Sequence, residues 1–204
     1  IPNALGHILT ASVISAPAAI MLAMIMVPER DRSAIERPEL SVEYHSLMDA
    51  IGRGTSDGLK LMANVAATLL VFVALIALLN SALSLLPAVA DAPLTLERIF
   101  GWAFAPLCWL MGIPWQEAQT AGSLMGIKTA LNELLGFLAL ANVAPGALSE
   151  HSILILTYAM CGFANFGSLG IMIAGLTSMC PERAVEIAQL APRSLISGTL
   201  ATCM

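Results

Sequence analysis

The sequence predicts an all-α integral membrane protein, folded as a bundle of helices that crosses the bilayer several times. Of its 204 residues, 58% are hydrophobic and only 11% are charged, whereas a soluble domain has about 25% charged residues. The hydrophobic residues also occur in long uncharged runs, of which residues 61–86 and 152–180 are the clearest. A membrane-spanning helix needs about 20 apolar residues, so these runs favour lipid as the solvent.

The first predicted element is a broken membrane helix over residues 1–27. In residues 4–27 the only titratable side chain is that of His7, and the run is long enough to cross a hydrocarbon core of about 30 Å. Pro17 lies near the middle of the run, and proline inside a helix removes a backbone hydrogen bond. A simple kink at Pro17 is the alternative to a break.

A polar connector and an uninterrupted membrane helix are expected next. Residues 28–60 contain five Lys and Arg residues beside seven acidic ones, and because the positive-inside rule counts Lys and Arg, this connector, the loop richest in them, is assigned to the cytoplasmic side. Within it, residues 50–60 are compatible with a short interfacial helix. Residues 61–86 have no charge and predict a membrane helix.

Residues 96–140 are expected to form a re-entrant hairpin region. Two apolar segments, residues 99–113 and 118–127, are each short for a full membrane crossing. Pro114 and Trp115 interrupt the apolar sequence between them, followed by two polar residues. Short segments joined by a polar break are typical of a hairpin that enters and leaves the membrane on one side.

A second broken membrane helix is predicted over residues 152–180. The run is uncharged, but residues 162–170 contain three glycines together with Asn165 and Ser168, which is a poor helix sequence. A helix broken inside the membrane exposes backbone groups that can bind ions or polar solutes. Residues 194–204 are predicted to be the start of a last helix.

One internal similarity indicates an inverted-repeat transporter. The tripeptide Pro-Glu-Arg occurs at residues 28–30 and again at 181–183, each time directly after a predicted broken helix. Paired broken segments in two halves are a feature of such transporters. The chain begins without a methionine and ends soon after an apolar stretch has started, so we expect it to be an excerpt from a longer protein.

Glu133 is the first candidate for a binding residue. A carboxylate at membrane depth is costly and normally faces a cavity or a partner. It can accept two hydrogen bonds from neighbouring hydroxyls, which suits a sugar diol. A structural ion pair with Lys128, five residues earlier, is the alternative.

Asn165 and Ser168 are candidates because they lie three residues apart within the predicted break. That spacing places them on one face of a helical turn, where both can hydrogen-bond to hydroxyls. Their alternative role is to cap the half-helices. Phe163 is expected to pack in the core or against lipid, unless its position beside the break allows it to stack on a ring.

Other classes of protein receive little support. The sequence has no metalloprotease, nucleophile-elbow or P-loop motif, so we expect no enzyme activity, with an intramembrane enzyme as a distant last hypothesis. We expect no metal site and no cofactor apart from a coupling ion. The nine Lys and Arg residues are scattered without interleaved aromatic residues, so no nucleic-acid partner is expected. The four cysteines are expected to be free thiols.

Two segments resemble the signatures of concentrative nucleoside transporters. Residues 126–137 are similar to the pattern G-x-K-x-x-x-N-E-F-V-A-[YMF], although leucine, leucine and glycine replace the Phe, Val and Ala of the pattern. Residues 161–170 are similar to C-G-F-A-N-F-[SG]-S-[IL]-G. Further similar stretches lie at residues 10–17, 56–58 and 111–115, so the chain resembles the C-terminal half of the family from end to end.

The resemblance implies cation-coupled nucleoside symport, driven by sodium or protons, through an elevator-like movement. It implies a multi-pass homotrimer in the cell membrane, with each protomer binding its own nucleoside. By motif position, the ribose would contact Glu133, Asn165 and Ser168. The further substrate-binding candidates implied by the motifs are Phe163 and Asn132, and an ion site would lie near Asn3, Ala4 and Leu5. The competing hypothesis is a membrane gate or structural module that has kept the fold without transporting.

Overall fold

The computed structural model describes residues 4–28, 45–89 and 93–204, and every helix in these parts is placed as follows. The α-helices are α1 (Ala4–Met26), α2 (Leu47–Leu83), α3 (Leu96–Leu110), α4 (Trp115–Ala130), α5 (Glu133–Ala141), α6 (Glu150–Met160), α7 (Phe166–Met179) and α8 (Ala184–Thr202). A short 3-10 turn, Pro181–Arg183, connects α7 to α8. The described residues contain helices and loops without a strand. The predicted all-α class is therefore confirmed.

Helix α1 corrects the prediction of a break at Pro17. The helix runs without interruption from Ala4 to Met26, with Pro17 inside it. The hydroxyls of Thr10 and Ser12 donate to backbone carbonyls one turn earlier, at 2.8 and 2.9 Å. Proline leaves only one carbonyl of the turn before it without its usual N–H donor, and a helix can tolerate that loss. The predicted break at Pro17 is therefore not observed.

Helix α2 corrects the boundary between the connector and the membrane helix. It begins at Leu47, well inside the predicted connector, and continues to Leu83. Its start is stabilised by Ser46, whose hydroxyl accepts the N–H of Asp49, and by an ion pair of 2.8 Å between Arg53 and Asp49. Hydropathy marks where a helix becomes apolar, whereas caps and ion pairs on a solvated face decide where it starts.

Helices α3 and α4 form an antiparallel hairpin whose backbones are in close contact. A Cβ atom added to Gly122 would lie 2.5 Å from the carbonyl oxygen of Gly101 and 2.9 Å from the nitrogen of Ala105. One added to Gly126 would lie 2.1 Å from the Cβ of Phe100. Small residues at these positions therefore allow the two helices to approach each other. Gly112, with a φ of 102°, lies in the turn.

The buried core lies between this hairpin and α6. Its largest apolar members are Ile113, Met125, Leu156 and Met160, all 1% exposed or less. A second connection is polar, because the carboxylate of Glu117 accepts hydrogen bonds from the backbone N–H and the hydroxyl of Ser149, at 3.0 and 3.1 Å. The start of α4 is thereby attached to the start of α6.

The chain leaves its helical path between α6 and α7. Residues 161–165 separate the end of α6 at Met160 from the start of α7 at Phe166. The last helix, α8, begins at Ala184 and not at residue 194, with Pro192 inside it. Its first turns carry Glu186, Gln189 and Arg193 among apolar residues, so a search for apolar runs detects only its second half. The helix packs against α1 and α7.

Much of the apolar surface of α1 and α2 is exposed. Leu5, Val13, Leu70 and Leu78 expose between 66% and 73% of their surface. Among the described residues, one helix, Leu5–Met26, is long and apolar enough to cross a membrane by length and composition. A helix that is apolar on all sides and exposed is typical of a protein whose solvent is lipid.

Candidate functional site

Glu133 lies in the first turn of α5, directly after the residue that caps this helix. The side-chain oxygen of Asn132 accepts the N–H of Leu135 at 2.9 Å. A carboxylate in the first turn interacts favourably with the free N–H groups of a helix start. The structure therefore gives Asn132 a capping role, and its predicted contact with substrate would use the amide NH₂ group or the second lone pair of the oxygen.

Asn165 caps α7 in the same way and forms a reciprocal pair with Ser168. The side-chain oxygen of Asn165 accepts the N–H of Ser168 at 2.7 Å, while the Ser168 hydroxyl accepts the N–H of Asn165 at 3.2 Å. The same hydroxyl has the carbonyl oxygens of Phe163 and Asn165 as acceptors. The capping alternative considered for these two residues is thus present, and most of the hydrogen-bonding capacity of Ser168 is used locally.

The two capped helix starts meet through one hydrogen bond. The side-chain NH₂ of Asn165 donates to Oε2 of Glu133 at 3.3 Å, across 32 residues of sequence. Asn165 is 3% exposed, whereas Glu133 is partly exposed. Within the described residues Glu133 has no other hydrogen-bond donor, and a carboxylate can accept about four. The free lone pairs of Glu133 are therefore available to a ligand with hydroxyl groups.

Phe163 lies within the break between α6 and α7, and Ser168 lies in the first turn of α7. They line a cavity of about 420 Å³ between the break, α1 and α8, whose walls also include Ser15, Ser194 and Thr202. Glu133 and Asn165 are not among its lining residues. The Phe163 ring is 72% exposed. The structure thus joins Glu133 to Asn165 and Asn165 to Ser168, but Glu133 does not line the cavity that Phe163 lines.

Lys128 is the residue whose importance sequence reasoning underestimated. Its side chain is fully buried in α4, and its ammonium nitrogen has no hydrogen-bond partner among the residues that the structure describes. Lys128 and Glu133 form no ion pair in the described part of the chain. The ion pairs found there include Arg53–Asp49, Lys60–Asp57 and Arg183–Glu186. The predicted alternative of a direct ion pair is therefore not observed. The signals in the sequence were the five-residue spacing of Lys128 and Glu133 and the match of Lys128 to the lysine of the pattern at residues 126–137.

A contact between α1 and α6 was also not predicted. Nδ1 of His7 and the hydroxyl of Tyr158 are 3.0 Å apart, and the two rings meet edge to face. His7 is the only titratable side chain in the apolar run of α1, which could have marked it. Of the predicted ion-site residues, Asn3 lies outside the described residues, and Ala4 and Leu5 form the first turn of α1. No cluster of three potential metal ligands occurs in the described parts of the chain.

Comparison with known proteins assigns the chain to a family. Residues 7–204 match the family model "Na+ dependent nucleoside transporter C-terminus". Mouse Solute carrier family 28 member 3 is 40% identical over 217 residues, covering 97% of this chain and 31% of the relative. The nucleoside permease NupC of Helicobacter pylori is 37% identical over 206 residues, covering 98% of this chain and 49% of the permease.

Solved structures give the same result. A variant of CNTnw in an outward-facing state has a TM-score of 0.82 and 34% identity, covering 97% of this chain and 48% of that one. CNTnw in an inward-facing substrate-bound state has a TM-score of 0.79 and 34% identity, covering 95% and 46%.

The fold and its relatives define the class of protein: the chain is part of a membrane-embedded transporter. More specifically, it belongs to the Na⁺-dependent nucleoside transporter family and corresponds to the C-terminal half of its members. The chain spans between a third and half of the length of these relatives.

Proposed function

We propose that this chain forms the C-terminal half of a sodium-coupled nucleoside symporter and binds the ribose of its substrate. The observation behind this proposal is the hydrogen bond between Asn165 and Glu133, because it joins the two motif segments into one polar site. The bond orients one carboxylate oxygen and leaves the other free to accept from a sugar diol. Asn165, Ser168, Asn132 and Phe163 are the further proposed contacts of the nucleoside.

Sodium is the proposed coupling ion. The matching family model is described as Na⁺-dependent, and mouse Sodium/nucleoside cotransporter 1 is 34% identical to this chain over 212 residues. The proposed ion site near Asn3, Ala4 and Leu5 would lie at the start of α1. Proton coupling is the alternative that the uptake experiment below distinguishes.

The lengths of the helices support the proposed arrangement in the membrane. At 1.5 Å per residue, α3 and α4 are about 22 and 24 Å long, short of a hydrocarbon core of about 30 Å. The hairpin is therefore proposed to be re-entrant. Helices α6 and α7 are about 16 and 21 Å long, so neither is long enough to cross the hydrocarbon core alone. We propose that the two together cross the bilayer as one discontinuous helix. We also propose the inverted-repeat organisation, a homotrimer in the cell membrane and an elevator-like movement, as in the family that the motifs resemble.

Uptake of labelled uridine by the complete transporter in proteoliposomes tests this function. Imposed sodium and proton gradients are compared for the wild type and for Glu133→Gln. We expect sodium-driven uptake that falls at least about tenfold in the variant, because the amide loses the charged acceptor for the ribose hydroxyls.

Glu150→Gln is the matched control, because Glu150 is an exposed carboxylate in the first turn of α6, just as Glu133 is in the first turn of α5. It should transport like the wild type. If no nucleoside is taken up under either gradient, the symport proposal is wrong and the non-transporting gate is favoured. Uptake that follows only the proton gradient would refute sodium as the coupling ion.

A further inference from the structure

The buried ammonium group of Lys128 has no obvious role in the fold. The side chain is 0% exposed, and within residues 4–28, 45–89 and 93–204 its nitrogen has no hydrogen-bond partner. A charge buried in this way costs several kcal/mol unless other charges compensate it. A position that served packing alone would be filled more favourably by a methionine or leucine. The presence of a lysine therefore indicates an electrostatic function.

The surroundings of Lys128 hold its side chain in place. Its Cβ packs against Gly136 on α5, where an added Cβ would lie only 3.1 Å from the Cβ of Lys128 and 3.4 Å from the sulfur of Met160 on α6. A larger residue at position 136 would push the lysine out of this position. The glycine of α5 thus permits the close approach of Lys128 to the helix that begins with Glu133.

Three titratable side chains lie within electrostatic reach of the ammonium group. They are Glu133 at the start of α5, Cys161 at the end of α6 and Cys203 at the end of α8. Thiols are neutral at pH 7 at their ordinary pKa, so that Glu133 is the one of the three that is ordinarily anionic. Lys128 is buried and Glu133 is partly exposed, and their opposite charges attract each other without a direct ion pair.

We propose that Lys128 is a positioning residue for ribose recognition, which compensates the charge of Glu133 from inside the protein and leaves the outer lone pairs of the carboxylate free for substrate. A direct ion pair would occupy those lone pairs, whereas a buried cation behind the carboxylate does not. The carboxylate of Glu133 is thereby positioned by the hydrogen bond from the Asn165 amide and by electrostatic attraction to the ammonium group of Lys128. This inference rests on the proposed ribose-binding role of Glu133.

The test compares two substrates in the complete transporter. Uridine has the ribose hydroxyls, and 2′,3′-dideoxyuridine lacks them. The Michaelis constants of both are measured for the wild type, Lys128→Met, Lys128→Arg, Glu133→Gln and the double variant Glu133→Gln with Lys128→Met. Lys60→Met is the matched control, because the side chain of Lys60 is 72% exposed on α2.

In Lys128→Met we expect the preference for uridine over the dideoxy analogue to fall about tenfold, while the Michaelis constant of the analogue stays within about twofold. Lys128→Arg keeps the charge and should restore most of the preference. In the Glu133→Gln background, Lys128→Met should have no further effect, because the carboxylate that it acts on is gone.

A structural role would give a different result. Equal losses for both substrates in Lys128→Met, or an additional loss in the double variant, would overturn the proposal. If Lys128→Met does not fold, recovery of folding in the double variant supports charge compensation, and failure of both the double variant and Lys128→Arg refutes it.

If Glu133→Gln keeps the full preference for uridine, the ribose-binding role itself is wrong. If Glu133→Gln loses the preference and Lys128→Met keeps it, only the role of Lys128 is wrong.

Discussion

In the α3–α4 hairpin, glycines bring two helix backbones into contact, whereas most side chains of α1 face outward. Gly101, Gly122 and Gly126 have no space for a Cβ atom. On α1 the side chain of Ala11 is buried against the rest of the chain, and Val13, two residues later, is 73% exposed. The hairpin is therefore stabilised by contacts within this chain, whereas α1 depends on what surrounds it.

This difference shows how two helical segments can contribute unequally to the stability of a membrane protein. Between helices in lipid, close packing of small residues replaces the hydrophobic effect as the attractive force. The hairpin has such packing along its length, and α1 has it at few positions. We therefore expect substitutions in the hairpin to affect stability far more than substitutions on the exposed face of α1.

The largest effect is expected for Gly122→Ala. The new Cβ would meet backbone atoms of α3 at 2.5 and 2.9 Å, and backbone cannot rotate away as a side chain can. Overpacking of this kind costs about 1–3 kcal/mol or more, so the thermal midpoint of the purified complete transporter should fall by several degrees on the scale typical of such losses.

Gly58→Ala is the control for that substitution, because no atom lies within 4 Å of the added Cβ on α2. Alanine is the better helix former, so this variant should be as stable as the wild type or slightly more stable. Equal destabilisation by both substitutions would show that the hairpin is not packed through its glycines.

An intermediate effect is expected for Ala11→Leu on α1. Ala11 is 6% exposed, and the larger side chain has to displace its neighbours, at a cost of about 1–3 kcal/mol. Val13→Leu, on the exposed face of the same helix, should change the free energy of unfolding by no more than about 0.5 kcal/mol and so leave the thermal midpoint nearly unchanged. If Val13→Leu is the more harmful of the two, the exposed face of α1 is packed against another part of the complete protein.

The smallest effect is expected for Pro17→Ala. Since α1 is continuous through Pro17, alanine restores the missing backbone hydrogen bond and should leave uridine uptake unchanged or stabilise the protein slightly. Uptake by the variant in proteoliposomes is the measurement. A complete loss of uptake with normal expression would contradict the view that Pro17 only modifies a continuous helix.

Sequence reasoning was most successful where the signal is local. The low charge content predicts the helical membrane class, and the glycines near residue 165 predict where the chain leaves its helical path between α6 and α7. It was less successful at boundaries, because neither start is marked by hydropathy: α2 begins at Leu47 after a Ser46 cap, and α8 begins at Ala184 after a polar 3-10 turn. The break predicted at Pro17 was wrong for a similar reason, since a single proline is compatible with a continuous helix.

The sequence by itself determined which residue types are present for binding: a carboxylate, an amide and a hydroxyl within two motif segments. Only the tertiary structure decided which of them meet. The bond from Asn165 to Glu133 spans 32 residues, and the burial of Lys128 depends on the helices that pack around α4. Periodicity and composition report the environment of a segment along the chain, whereas the contact of two polar groups depends on how separate helices pack against one another.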